Sequence, residues 1–509
     1  MAGVVSSGLR LMAAGWVLAR HDALAPREFN DLLPGAAKPF AAFVRLFAGP
    51  QAKQGRPGER LARAFERLGP VAIKLGQLLS TRADIFGGQF AEDLSRLKDR
   101  LPAFPDAIAR AEVEKALGQP ITALFVEFGE AVAAASIAQA HRAVLHDGRA
   151  VAVKVLRPNI ERLVARDIGA MQLGARLAEA VAPAARRLEP RAFVGTVARS
   201  MALELDLRLE AAAASELGEI MARDPYMQAP KVVWEGVGRR ALTLEWAKGL
   251  PMSDPAALEQ PGLDRKVLAD NVIRAFLSQA LDHGTFHADL HEGNLFCAPP
   301  HQITAVDFGI VGRIGAAERR YLAEILWGFL RKDYLRVAEV HFEAGYVPRT
   351  HSVEVFAQAL RAVGEPVFGR PAHEVSMGRL LAQLFEMTAL FDMRLRPELV
   401  LLQKTMVTVE GVARGIDPQN DLWSAAQPVV ERWIARELSP PKRVAEIGRE
   451  VLAAVRGLAR WAEAQGESVV MAPEPRHKPS MAALWALGLA IVAIIEAFVA
   501  LREIGVLKL

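Results

Sequence analysis

Three short motifs in a fixed order constrain the fold of this 509-residue chain more than any other feature. Residues 151–154, Val-Ala-Val-Lys, form an apolar run that ends in a lysine. Asp289 and Asn294 lie five positions apart after an apolar helix, and Asp307 opens an Asp-Phe-Gly triplet downstream. Mg²⁺ prefers oxygen ligands such as these, and lysine binds phosphate. The order therefore predicts a strand with a phosphate-binding lysine, followed by a helical region that holds a metal.

The same motifs and spacings occur in protein kinases. The catalytic loop H-R-D-x-x-x-x-N has the same Asp-to-Asn spacing, and the V-A-I-K strand matches the run that ends at Lys154. By this match Lys154 grips the α and β phosphates of ATP and Asp289 acts as the base. Asn294 and Asp307 are the candidate Mg²⁺ ligands. Each motif alone is a weak signal, but in this order and spacing they are a strong one.

Further contacts to the nucleotide follow from the same comparison. A glutamate on a helix after the strand should orient Lys154, and the candidates are Glu204 and Glu210, of which we favour Glu204. The chain at Glu245 and Trp246 corresponds to the kinase hinge, so we expect its backbone to contact the adenine.

The segment before the Lys154 strand lacks the glycines that usually surround a triphosphate. An alanine-rich stretch from 131 to 139 takes their place and contains Ala133, Ala134, Ala135 and Ser136. Alanine resists the positive φ angles that glycine allows, so this loop should approach phosphate less freely than a glycine-rich one. This puts ordinary protein kinase activity in doubt.

The combination resembles the UbiB family of aarF-domain atypical kinases, whose mitochondrial relatives act in coenzyme Q synthesis. The family's K-x-G-Q motif matches Lys74 and Gln77, on a helix that in the family folds over the nucleotide pocket. Its E-x-D motif matches Glu204 and Asp206, and a further family glutamate matches Glu210. The resemblance implies ATP and Mg²⁺ as cofactors.

One departure concerns the catalytic loop. The family commonly reads H-A-D-P-H-P-G-N, and Leu290 and Glu292 replace both prolines here. The loop should be less rigid while it keeps its ligands.

The resemblance covers roughly residues 61–331 and implies an α+β, kinase-like two-lobe fold. Short apolar runs at 125–128, 138–144 and 151–155 predict a small antiparallel sheet, with a further strand pair at 232–234 and 242–246. In chain order we expect an N-terminal helical segment at 1–60, the K-x-G-Q helical extension at 61–118, a first lobe with a helical insert at 119–250, a helical second lobe at 251–470 and a transmembrane helix at 481–501.

Residues 481–500 carry the strongest membrane signal. They are apolar except for Gly488 and Glu496, and about 20 such residues span a bilayer. Arg476 and Lys478 precede them, which predicts a bacterial inner-membrane protein whose catalytic domain faces the cytoplasm. Because the chain has room for one full span where many family members have two, a single span or a homodimer is expected.

The N-terminus also has an apolar stripe. Val5, Leu9, Met12 and Trp16 recur at helical spacing, which suits a helix on a membrane surface. Packing of this stripe on the protein's own core fits the pattern equally well.

Composition narrows the remaining possibilities. The net charge is only +4 and the basic residues are spread along the chain, which argues against binding to nucleic acid. The single cysteine, Cys297, excludes an internal disulfide framework and a cysteine-rich metal site.

The resulting hypothesis is a membrane-associated kinase or ATPase that supports ubiquinone biosynthesis. The resemblance implies membrane lipid, ubiquinone precursors and other ubiquinone biosynthetic proteins as partners. One alternative is a nucleotide-binding scaffold without turnover. Another is the older family label of polyprenylphenol hydroxylase, for which the sequence offers neither a dinucleotide fingerprint nor an evident iron site.

Overall fold

The short apolar runs of the middle region form one antiparallel sheet in the computed structural model of the chain. Its strands pair in sequence order. They are β1 Phe125–Ala134, β2 Ala138–Leu145, β3 Ala150–Leu156 and β4 Ala241–Glu245. The strand predicted at 232–234 is wrong, because Val232 makes only an isolated bridge to Leu244 before a 3₁₀ turn, Trp234–Gly236.

The structure describes residues 2–24, 26–32, 38–80, 88–95, 97, 102–181, 189–365, 390–393 and 397–437. The chain divides into two units, Met1–Val430 and Glu431–Leu509. Of the second unit only residues 431–437 are described, and they are helical. The predicted domain bounds remain predictions.

The alternation of side chains along β3 determines which of them face the candidate active site. Val151, Val153 and Val155 are fully buried in the core of the small lobe, where Phe125 packs with them. Successive side chains of a strand point to opposite faces. Lys154 therefore lies on the face opposite this core, and burial of the valines fixes its direction.

The turn between β2 and β3 forms where His146-Asp147-Gly148 predicts one. Gly148 takes a positive φ of 83°, and the carboxylate of Asp147 accepts a hydrogen bond of 3.0 Å from the amide of Arg149. Both features are typical of tight turns, which explains the local signal.

Helices precede the sheet. They are α1 Ala2–Arg20, α2 Lys38–Arg45, α3 Pro57–Leu68, α4 Pro70–Ser80, α5 Gly88–Ser95 and α6 Asp106–Leu117. Pro70 begins α4, as its fixed φ favours at a first turn. Arg10 fixes α1 to the protein through a bidentate ion pair with Asp167, with bonds of 2.7 and 2.9 Å.

Ala-rich sequence between β3 and β4 forms the predicted helical insert. Its helices are α7 Ile160–Val181, α8 Pro190–Glu204 and α9 Leu207–Met221. Asp206 separates the last two, and its side chain caps α9 by accepting a hydrogen bond from the amide of Arg208. This break sets the different directions of the carboxylates on α8 and α9.

The second lobe is mainly helical, with short strands around the catalytic motifs. Its helices are α10 Arg265–Ser278, α11 Ala316–Leu330, α12 Tyr334–Glu343, α13 Val353–Gly364, α14 Pro397–Ile416 and α15 Leu422–Glu437. Its strands are β5 Leu250–Pro251, β6 Thr285–His287, β7 Leu295–Ala298, β8 Gln302–Ala305 and β9 Val311–Arg313. β6 pairs with β9, and β7 lies between β5 and β8, so a two-stranded and a three-stranded sheet flank the loop that contains Asp289. These strands were not predicted, because each is only two to four residues long.

Within the described part of the chain, no helix is both long enough and apolar enough to span a bilayer. The span predicted at 481–501 lies outside the described residues.

Candidate active site

Lys154 is the centre of the predicted phosphate site, and two carboxylates hold it. Its ammonium donates to Glu210 at 2.7 and 2.9 Å and to Asp307 at 3.1 Å. The prediction that Glu204 orients Lys154 is therefore wrong in this structure. Glu210, the second candidate, has that position, at the start of α9.

Glu204 has a different partner because it ends α8, before the chain turns at Asp206. Its carboxylate forms an ion pair with Lys74 of the K-x-G-Q helix, α4. Lys74 is buried, so this pair ties α4 to the helical insert of the small lobe. The structure thus gives the two candidate glutamates different lysine partners.

The charged groups around Lys154 change one another's pKa values. Burial raises the pKa of Glu210 to about 7, although the positive charge of Lys154 opposes this change. The charge of Lys154 lowers the pKa of Asp307 to about 2. Burial acts to lower the pKa of Lys154, but Asp307 and Glu210 outweigh it and raise that pKa overall. Lys154 therefore remains an ammonium at neutral pH, and Asp307 remains a carboxylate.

Asp289 and Asn294 lie together in the loop after β6. The side-chain nitrogen of Asn294 donates to the carbonyl oxygen of Asp289 at 3.0 Å and to its carboxylate at 3.3 Å. The Asp289 side chain is 37% exposed, so an acceptor from solvent can reach it. Asn294 is buried, and its side-chain oxygen is left as the group that a cation can take.

His287 joins the Asp289 loop to the segment after β8 that contains Asp307. One ring nitrogen, Nε2, donates to the carbonyl of Val306 at 3.1 Å, and Nδ1 accepts from the amide of Asp289 at 3.1 Å. A carbonyl can only accept and an amide can only donate, which sets the neutral tautomer. Burial lowers the pKa of His287 and agrees with this neutral state. His287 therefore positions the loop.

Asp307 has a backbone conformation that suits a functional residue. Its φ is +61°, a left-handed value that aspartate tolerates better than most side chains. The next residue, Phe308, is 1% exposed, and its ring lies 5.2 Å from that of His287. Packing of Phe308 holds the strained position of Asp307.

The oxygen donors fit Mg²⁺ bound together with phosphate. Among the described residues, no group of three or more His, Cys, Asp or Glu side chains is placed to hold a metal by itself. Mg²⁺ commonly takes one or two protein oxygens and completes its shell with substrate phosphates and water. Asn294 and Asp307 supply that number.

The alanine-rich segment is part strand and part turn. Ala133 and Ala134 end β1, and Ala135 and Ser136 lie in the turn to β2. Arg157 fixes this turn, because its guanidinium donates to the carbonyl of Ala135 at 3.0 and 2.8 Å. The turn is therefore held in one conformation without glycine.

The adenine contact at the hinge stays a prediction, but the two amide groups of Glu245 and Trp246 already have partners. The amide of Glu245 donates to the carbonyl of Lys231 at 2.8 Å, and that of Trp246 donates to Ala150 at 2.9 Å. Neither N–H group is therefore free to bind adenine. The Trp246 ring instead lies 5.5 Å from the guanidinium of Arg142.

The K-x-G-Q helix packs tightly where its glycine lies. A methyl group on Gly76 would come within 2.2 Å of Leu97 and 2.7 Å of Phe65, so only glycine fits there. Gln77, one residue later, is half-buried, and its carbonyl accepts a hydrogen bond of 2.6 Å from Ser80. The helix therefore packs closely at Gly76 against the side chains of Phe65 in α3 and of Leu97, which follows α5.

One contact of the catalytic loop was not predicted from the sequence. Thr405 of α14 is buried, and its hydroxyl proton is shared between the carbonyl of Leu401, at 2.9 Å in the same helix, and that of Ala288, at 3.2 Å. A single threonine in an apolar helix gives no functional signal in a sequence. More than 100 residues separate it from the loop that it contacts.

Comparison with known proteins places the chain in a family. The model of the ABC1 atypical kinase-like domain matches residues 96–341, and that of the UbiB helical domain matches residues 360–421. A protein of Marinobacter nauticus called "Probable protein kinase UbiB" is 41% identical over 439 residues, which cover 85% of this chain and 79% of the relative. The chain belongs to the UbiB family. A protein of the same name from Tolumonas auensis is 40% identical over 85% of this chain and 80% of its own length.

A solved structure has the same fold. The complex of Rv3197 with erythromycin from Mycobacterium tuberculosis has a TM-score of 0.51 and 24% identity, and covers 71% of this chain and 93% of its own. The predicted kinase-like two-lobe fold is thereby confirmed for this UbiB-family chain.

Proposed function

We propose that this UbiB-family chain is an atypical kinase or ATPase that uses Mg²⁺ and ATP to support ubiquinone biosynthesis at a membrane. The proposal rests on the hydrogen bonds that Lys154 donates to Glu210 and Asp307. The neighbouring loop contains Asp289, which accepts a hydrogen bond from Asn294. These groups come from both lobes, as expected for a site between them.

Each group has a role that its geometry allows. Lys154 binds phosphate oxygens and is kept charged by its two carboxylate neighbours. Asp289, partly exposed, accepts the proton of water or an acceptor hydroxyl, whose oxygen bonds to the terminal phosphorus as ADP leaves. Asn294 and Asp307 would hold Mg²⁺, which neutralises phosphate charge when bound.

An ATP hydrolysis assay tests the proposed enzymatic activity. Mg²⁺-dependent ATP hydrolysis by the full chain in detergent should fall at least about 100-fold in Asp307→Asn, since one metal ligand loses its charge. Glu235→Gln, an exposed carboxylate on the small lobe, is the matched control and should act like the wild type. Equal hydrolysis by wild type and Asp307→Asn would contradict the assignment.

The ubiquinone part of the proposal draws on the family. Relatives of about 40% identity have the name UbiB, and the family resemblance implies lipid intermediates and other biosynthetic proteins as partners. Hydrolysis should rise when anionic-lipid vesicles and a phenol that resembles a ubiquinone precursor are added. Tight ATP binding without turnover under every condition would instead support the nucleotide-binding scaffold.

An exposed apolar patch supports membrane contact. Leu9, Met12 and Trp16 of α1 are 50–65% exposed, and Phe43 of α2 is 57% exposed. Phe47 joins them, with its ring 5.5 Å from Trp16 and 5.3 Å from Phe43. Aromatic side chains favour the membrane interface. With the predicted span, this patch would hold the protein at the cytoplasmic face of a bacterial inner membrane.

Vesicle binding tests the patch. The double variant Trp16→Ser with Phe43→Ser should bind anionic vesicles several-fold less than wild type, because each aromatic ring contributes buried apolar area. Leu335→Ser removes an exposed leucine of α12 and is the control. Unchanged binding by the double variant would contradict this role. Sedimentation in detergent separately tests the proposed homodimer against a monomer.

A further inference from the structure

Helix α14 from the helical domain packs against the catalytic loop. It lies along α10 and contacts β9, and the Thr405 hydroxyl lies 3.2 Å from the Ala288 carbonyl, next to Asp289. At the last residue but one of α14, a methyl group on Gly415 would lie 3.2 Å from the carboxylate of Glu292. Two separate points of α14 therefore meet the loop that carries Asp289.

Lys404 precedes Thr405 and lies at the same edge of the site. It interacts electrostatically with Asp289, which attracts it, and with Lys74 of the K-x-G-Q helix, which repels it. The surrounding protein lowers the pKa of Lys404 even though its side chain is still reached by solvent. Lys404 is therefore an exposed cation at the edge of the site, within electrostatic reach of Asp289.

The partners of the three lysines differ. Lys154 is paired with Glu210 and Asp307, and Lys74 is paired with Glu204. The ammonium of Lys404 makes no hydrogen bond or ion pair with any residue that the structure describes. An exposed ammonium that has no ion-pair partner is suited to bind an anion of a ligand.

We propose that Lys404 binds the terminal phosphate of ATP beside Asp289, so that the helical domain completes the phosphate site. This rests on the proposed function, in which Lys154 takes the inner phosphates and Asp289 faces the phosphorus that is transferred. A cation close to the terminal phosphate stabilises the negative charge on the phosphoryl group during its transfer. Lys404 supplies that cation from a helix outside the kinase-like core.

Nucleotide affinity tests the proposal without relying on turnover. Calorimetric titration of the full chain with MgATP and MgADP should show that Lys404→Met loses about tenfold in ATP affinity, or about 1.4 kcal/mol. Its ADP affinity should change by less than about twofold, because ADP lacks the terminal phosphate. Lys404→Arg keeps the charge and should retain most of the ATP affinity.

Lys266→Met is the matched control, since Lys266 is an exposed lysine on α10. Thermal unfolding of each variant shows whether it is folded. Equal losses for ATP and ADP, or no loss for either, would overturn the role of Lys404 and leave the proposed function standing. A wild-type chain that binds neither nucleotide would overturn both.

Discussion

A double-mutant cycle can measure which carboxylate holds Lys154. The perturbations are Lys154→Met and Glu210→Gln, alone and together, with the free energy of unfolding of each protein obtained from urea denaturation. Glu210 is 9% exposed and accepts two bonds from Lys154, whose side chain is 23% exposed. Since the two side chains touch, their effects should not add.

The size of the coupling follows from the contacts. A hydrogen bond to a charged group contributes about 1.5–3 kcal/mol, and loss of one partner of a buried pair costs about 3–5 kcal/mol. Lys154 keeps Asp307 at 3.1 Å, and glutamine keeps one acceptor oxygen, so we take the lower end. The expected coupling energy between Lys154 and Glu210 is about 2 kcal/mol.

The second cycle provides the control. Lys154→Met combined with Glu204→Gln should couple by less than about 0.5 kcal/mol, because Glu204 pairs with Lys74. Glu219→Gln, an exposed glutamate on the same helix as Glu210, should leave stability within about 0.5 kcal/mol of wild type. Strong coupling of Lys154 to Glu204, with none to Glu210, would refute the pairing seen in the structure.

Three further predictions concern stability. Burial lowers the pKa of His341, so the buried neutral imidazole contributes fully to stability above about pH 6.5. Below that pH the free energy of unfolding should fall by up to about 1.4 kcal/mol per pH unit until the pKa of the folded state is reached. His341→Gln should flatten this dependence when melting is measured across the pH range. Arg10→Met should cost about 1–3 kcal/mol in urea unfolding, since it leaves the carboxylate of Asp167 buried without its bidentate partner, and a change below about 0.5 kcal/mol would contradict this. Gly249→Ala should lower the melting temperature by several degrees, because its φ is +93° and a methyl group would lie 2.2 Å from the carbonyl of Cys297; Gly262→Ala has a positive φ in open space and separates the two effects.

Much of the fold follows from local pattern. The strands around Lys154 have alternating or continuous apolar residues, and Gly148 and Pro70 mark a turn and a helix start. The alanine-rich segment was harder, because Ala133 extends β1 where a loop was expected. Alanine has no strong preference there, and pairing with β2 decides the outcome.

The contacts of the candidate site could not all be predicted from the spacing of residues in the sequence. Glu204 and Glu210 are six residues apart and both precede apolar helix positions, so their order alone cannot assign the partner of Lys154. The break at Asp206, which ends one helix and caps the next, decides it. Lys404 gave no signal at all, since only tertiary packing of α14 brings it near Asp289.

The central claim is that Lys154, Asn294 and Asp307 bind ATP together with Mg²⁺. The most direct measurement is calorimetric titration of ATP into the full chain, with Mg²⁺ and with a chelator, for wild type and Asp307→Asn. We predict saturable binding by wild type that weakens at least about tenfold without Mg²⁺, and binding by the variant that no longer responds to Mg²⁺. Equal ATP affinity in all four titrations would contradict the account.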